Sequence, residues 1–160
     1  MSLPAHFPEL KAISAELKPA LASETIAIGF VAVENSDQLT KTGEKSEKEF
    51  KLVGSSLLHK SIAETFGIDI LDELKFFAPT GKAGESFELP ISAPDAKVER
   101  LLLIGLGDQS LAAFRAAGAT VGRKVKGKSQ SITSFCATTD STAHAHAISA
   151  RSEERRVGKE

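Results

Sequence analysis

One run limits what this chain can fold into: Val98-Glu-Arg-Leu-Leu-Leu-Ile-Gly-Leu-Gly107. Leu101 to Ile104 form an unbroken apolar stretch of strand length, closed by Gly105 and Gly107. A strand with one wet face alternates. A run without alternation fits a strand covered on both faces, as in the parallel part of an α/β sheet. The glycines let the chain turn where side chains would clash. Across residues 109–126 the period changes. Leu111, Phe114, Ala117 (or Gly118), Val121 and Val125 recur at three and four residues, one face of a helix. Strand, glycine turn and helix make half of a βαβ unit, and residues 131–137 supply the next strand.

The rest of the chain is read outward from that unit. Leu10, Ile13, Leu17 and Leu21 fall at helical spacing, but Pro19 breaks any continuous helix, leaving a short helix or an edge strand. Residues 25–33, rich in β-branched side chains, read as a central strand. Residues 34–51 are polar and mixed in charge and read as a solvated loop. Residues 55–66 are helical, with Ser55 or Ser56 as N-cap, Leu58, Ile62 and Phe66 on one face, and Gly67 as the stop. Residues 69–77 form a second short helix with Asp69 at its positive end. Residues 79–84 are a turn cluster, 85–91 an alternating strand ending at Pro90, and 92–97 a loop. Residues 142–150 are helical from their alanines. Residues 151–160 carry almost nothing but charge around Val157, and are read as a non-native tail set aside from the fold.

The totals exclude several classes. At 160 residues the chain fits one domain. A net charge of −1 supplies no global field toward nucleic acid or a lipid surface. A single cysteine, Cys136, rules out an internal disulfide and fits a reducing compartment. With no signal-like start and no long apolar run, the expectation is a cytoplasmic protein with no membrane partner.

Candidate chemistry is sparse. Gly105-Leu-Gly107 invites a dinucleotide reading, but the third glycine position is Ser110 and no acidic residue ends a following strand, so a structural turn is favoured. His144 and His146 diverge by about 200° on a helix and have only Asp140 near them. They are read as exposed helix histidines rather than metal ligands. His59 is read as surface. Cys136 is read as a small buried hydrophobe. Ser55, Ser56 and Ser110 lack a nucleophile-elbow context. Arg123, Lys124, Lys126 and Lys128 are read as cations complementing a helix C-terminus. No aromatic residues interleave with them as a nucleic-acid surface would need. No catalytic, metal-ligating or cofactor-binding residue emerges.

Three motifs taken together carry a resemblance. Thr80-Gly-Lys-Ala-Gly-Glu85, the strand Arg100-Leu-Leu-Leu-Ile-Gly-Leu-Gly107, and Phe114-Arg-Ala-Ala-Gly-Ala119 resemble, in order and spacing, the N-terminal domain of the cytosol (leucyl) aminopeptidases, in their actinobacterial form. The matching positions are Gly81, Lys82, Gly84, Glu85, Gly105, Gly107, Arg115 and Gly118. The resemblance implies an α/β, macro-domain-like three-layer fold over residues 1–150, with a mixed central sheet between helices. It implies a parent enzyme in which a separate domain holds two divalent metals, zinc or manganese, and removes N-terminal residues from peptides. The family's Asn-Thr-Asp-Ala-Glu-Gly-Arg metal signature does not occur in these 160 residues. No catalytic residue is therefore carried over, and the chain is expected to be a truncated enzyme, inactive alone and without a cofactor of its own. The resemblance further implies a homo-oligomer, a hexamer in the parent family, and peptide contact only through the missing domain. The alternative is a stand-alone macro-like module binding ADP-ribose or a nucleotide.

Overall fold

In a computed structural model the chain runs α1 (Leu17–Ala20), β1 (Thr25–Val33), β2 (Glu49–Leu52), α2 (Ser56–Phe66), α3 (Ile70–Phe76), β3 (Ser86–Pro90), β4 (Arg100–Gly105), α4 (Leu111–Val125), β5 (Ile132–Ser134) and α5 (Asp140–Arg156). The structure describes residues 17–33, 49–92, 96–126, 132–137 and 139–156; for residues 18, 19, 140 and 151–156 only the backbone course is described. The spacing of Leu10 and Ile13, residues 34–48 of the polar stretch 34–51, Lys128 and residues 157–160 lie outside the described residues.

The sheet has the order β2-β1-β4-β3, with β5 also beside β1. β1 and β4 run parallel, Thr25 opposite Arg100 through Phe30 opposite Gly105. β5 is parallel to β1 on its other edge, Thr25 opposite Ile132 and Ala27 opposite Ser134. The unit β4–α4–β5 is thus a complete parallel crossover that steps over β1. Antiparallel strands close the sheet: β2 on β1 from Phe30–Leu52 to Val33–Glu49, and β3 on β4 from Ser86–Ile104 to Pro90–Arg100. The result is a mixed sheet, as expected.

Burial on both faces explains the apolar run. Ile26, Ile28, Phe30, Leu101 and Leu103 pack with Ala20 of α1, Leu58 and Ile62 of α2, and Ile70 and Leu74 of α3. Their neighbours of opposite parity, Ala27, Val31, Leu102 and Ile104, pack with Phe114, Ala117, Val121 and Val125 of α4. Three layers follow, helices on each side of a sheet whose inner strands are apolar throughout. Each fully buried Leu or Ile contributes about 1.5–3 kcal/mol relative to leaving it in water, so both parities of β1 and β4 are held.

Local chemistry sets the helix ends. Asp69 caps α3, its side chain accepting from the Asp72 N–H at 3.2 Å. Gly67 ends α2 in the left-handed conformation, φ 66°. Ser55 holds the extended N-cap conformation of α2 but its hydroxyl makes no cap bond.

Four expectations are corrected. The solvated loop does not reach Lys51: Glu49–Leu52 is a strand. Its charged Glu49 and Lys51 are exposed, while Leu52 is buried and Phe50 meets Phe30 edge-to-face at 5.9 Å. Leu111 is not on the buried face of α4. It opens the helix at 47% exposure, and Ala113 and Phe114 are the first residues to be covered. The strand over 131–137 is only Ile132–Ser134. The last helix does not stop at Ala150 but continues to Arg156. Among the described residues no helix is long and apolar enough to cross a membrane.

Candidate functional site

The first two quoted motifs meet at one corner, where β4 ends, and α4 closes one side of it. β4 finishes at Gly105, and the turn 80–85 folds against it. Gly84 N–H donates to the Gly105 carbonyl at 2.9 Å, Gly105 N–H to the Glu85 carbonyl at 2.7 Å, and Gly107 N–H to the Gly81 carbonyl at 3.1 Å. The approach is so close that a Cβ on Gly105 would lie 2.2 Å from the Lys82 carbonyl oxygen. Only a residue without a side chain fits there. From α4, the Thr120 hydroxyl lies 2.9 Å from the Gly84 carbonyl and 3.1 Å from that of Ala116, and accepts from Arg123 at 3.1 Å.

Glu85 closes the turn on itself. Its carboxylate accepts the Thr80 N–H at 2.9 and 3.1 Å and also the Thr80 hydroxyl. Lys82 is exposed, and its contribution to the corner is its carbonyl. On the far side of the Gly105-Leu-Gly107 bend, Asp108 accepts from Ser110 N–H at 3.0 Å, and the nearby Ser110 hydroxyl, then this N–H, hold its carboxyl below the usual range. The Ser110 hydroxyl accepts from Ala113 N–H at 3.1 Å, so this serine is the N-cap of α4. The donors and acceptors named are committed to one another. The corner is built to brace the sheet end.

Of the eight motif positions, Gly81, Lys82, Gly84, Glu85, Gly105 and Gly107 come together in this corner. Arg115 is exposed on α4. Gly118 serves another contact, with α5: a Cβ there would lie 2.1 Å from the His146 carbonyl oxygen, and one on Gly122 would lie 2.5 Å from that of Ala150. The same four-residue step on both helices means that α4 and α5 run parallel, backbone against backbone.

That seam holds a pair of residues that sequence reasoning missed. His146 is not an exposed helix histidine. It is 6% exposed, whereas His144 is exposed. Its Nδ1 lies 3.2 Å from the Phe114 carbonyl, which can only accept, so Nδ1 carries the proton. Its Nε2 then accepts from the Ser134 hydroxyl at 2.8 Å. Burial pushes the ring's pKa below its ordinary value, with the Phe114 carbonyl opposing. His59 also departs from a surface reading: it is half-buried, and Nε2 donates to the Val53 carbonyl at 3.0 Å. Cys136 is fully buried, and burial pushes its thiol up to about 12.

The donor set among the described residues does not suit a metal pair. Among the described residues no three His, Cys, Asp or Glu side chains converge. His146 and Glu85 are already committed, and the Cys136 thiol stays protonated.

Fold and corner define the class: a three-layer α/β domain with a mixed sheet, organised around a glycine-rich brace. The sequence profile of the cytosol aminopeptidase family, N-terminal domain, matches residues 70–155, just over half of the chain. This chain belongs to the cytosol aminopeptidase family, and the part matched is its N-terminal domain. A comparison with curated proteins returns no match.

Proposed function

We propose that this chain is the non-catalytic N-terminal domain of a leucyl aminopeptidase whose peptide-cleaving machinery resides in a domain that these residues do not contain. In that reading the parent enzyme uses two divalent metals, zinc or manganese, and assembles as a homo-oligomer. The domain makes oligomer contacts and shapes access to the active site. The observation that carries the reading is the brace itself: the Gly-Lys-x-Gly-Glu turn is locked under Gly105 by backbone contacts, within the stretch that matches the family. Such a corner stiffens a sheet, and the polar groups that build it are spent on one another.

Incubation of the purified chain with leucine p-nitroanilide and manganese tests this. The expected result is no release of p-nitroaniline above buffer; sustained turnover would remove the non-catalytic reading. Calorimetric titration with ADP-ribose separates the alternative, a stand-alone ligand-binding module. Silent titration supports the aminopeptidase domain, and micromolar binding supports the module.

A further inference from the structure

We propose that His146 is a proton-sensitive latch: its neutral ring seats α5 on α4 and β5, and protonation at Nε2 releases the helix. The inference concerns this chain alone and stands whether or not the parent is an aminopeptidase.

Geometry carries it. Among the described residues, the face of α5 toward α4 buries small or polar residues, Ala145, His146 and Ala150. Gly118 and Gly122 let the two backbones touch, so there is little apolar side chain to hold the seam. Among the described α5 residues buried there, His146 has the one long side chain. It ties α5 to α4 through the Phe114 carbonyl and to β5 through Ser134. Ser134 in turn receives the Cys136 N–H at 3.4 Å. The ring therefore needs a hydroxyl proton pointing at Nε2. A proton on Nε2 turns that acceptor into a second donor, and the Ser134 proton loses its place. The new charge would sit in a buried site.

Among the described residues, the groups around the ring do not offset that charge. From α4 it meets the Phe114 carbonyl, and the adjacent Arg115 is exposed and of the wrong sign. From β5 and the segment after it come the Ser134 hydroxyl and the Cys136 thiol, which is neutral. On α5 itself, His144 is exposed. No charged side chain enters the causes of the ring's lowered pKa.

The sign follows. Seated, the ring titrates below its ordinary 6.5; released, it returns to that value. Opening therefore takes up a proton between the two. The seat is at full strength above 6.5 and weakens as pH falls through 6.5 toward the seated value. Uptake of one proton raises the opening constant by at most about tenfold per pH unit.

Hydrogen exchange on the full chain tests it. Protection factors for α5 amides, corrected for intrinsic exchange, are measured from about pH 8 to about pH 5. The wild-type chain and His144→Gln are expected to lose α5 protection below the ordinary histidine range, approaching tenfold per pH unit, while β1 and β4 amides hold theirs. His146→Gln is expected to show no such slope. His59 is unchanged in all three chains and drops out of the comparison. A flat wild-type profile, or a slope that survives in His146→Gln, overturns the latch. If circular dichroism shows that His146→Gln does not fold, the wild-type ring decides by NMR. A midpoint below 6.5 with the proton on Nδ1 supports the latch; a midpoint at or above it, or the other tautomer, overturns it.

Discussion

Replacing Gly105 with alanine puts the proposed role of the corner to a direct test. The new methyl group would stand 2.2 Å from the Lys82 carbonyl oxygen and 3.3 Å from the Glu85 Cβ. Carbon and oxygen normally approach to about 3.3 Å, so the turn must retreat by about 1 Å. It cannot retreat freely, because bonds of 2.9 Å (Gly84 to Gly105) and 2.7 Å (Gly105 to Glu85) tie it to the same residue. Overpacking costs about 1–3 kcal/mol and the loss of one of these two bonds about 1 kcal/mol, so a total loss of about 2–4 kcal/mol is expected. With a urea slope of about 2 kcal/mol per molar, the midpoint falls by about 1–2 M. The chain has no Trp and no Tyr, so unfolding is followed by far-UV circular dichroism. Gly67→Ala is the comparison: its φ is +66°, but nothing lies within 4 Å of the added Cβ. It loses only the left-handed penalty of about 1–2 kcal/mol. A Gly105→Ala chain that unfolds within about 1 kcal/mol of wild type, or later than Gly67→Ala, refutes the steric argument.

Two further tests address single contacts. Ser110→Ala removes the hydroxyl that accepts Ala113 N–H and is expected to cost about 1 kcal/mol in urea denaturation, whereas Ser55→Ala, which removes no cap bond, stays within about 0.5 kcal/mol. Cys136 is fully buried with its thiol pushed up to about 12, so Ellman's reagent near neutral pH is expected to leave the native chain unlabelled and to react on unfolding in guanidinium; prompt labelling of the native chain would contradict that burial.

What could be read from the residues depended on how each element is held. β1 and β4 are covered on both faces, so their apolar runs mark them directly, and the β-branched run of β1 has the same ends, Thr25 and Val33, as the strand. β2 escaped because it is a wet edge strand, where Glu49 and Lys51 alternate with Phe50 and Leu52 and extend the charged look of the preceding stretch. The burial of His146 left no trace in the pattern. Its seat is made by glycines on another helix, and a missing side chain gives α5 no apolar stripe to read. The corner was legible as a set of motifs, but not as a packing event. Nothing in Lys82 as a residue type says that its carbonyl, rather than its ammonium group, is what Gly105 must accommodate.

The edge of β1 that faces away from β4 is shared, with β2 on residues 30–33 and β5 on residues 25–27. This division carries a cost in time. Ala27 leaves the ribosome long before Ser134, its partner across the sheet. At about 5–20 residues per second the wait is on the order of 5–20 s. Over that interval an apolar segment leaves a row of backbone groups paired only with water, the kind of template on which other chains assemble. A nascent copy of this domain is therefore more open to such pairing than the finished one, until three residues, Ile132, Thr133 and Ser134, arrive to close that part of the edge.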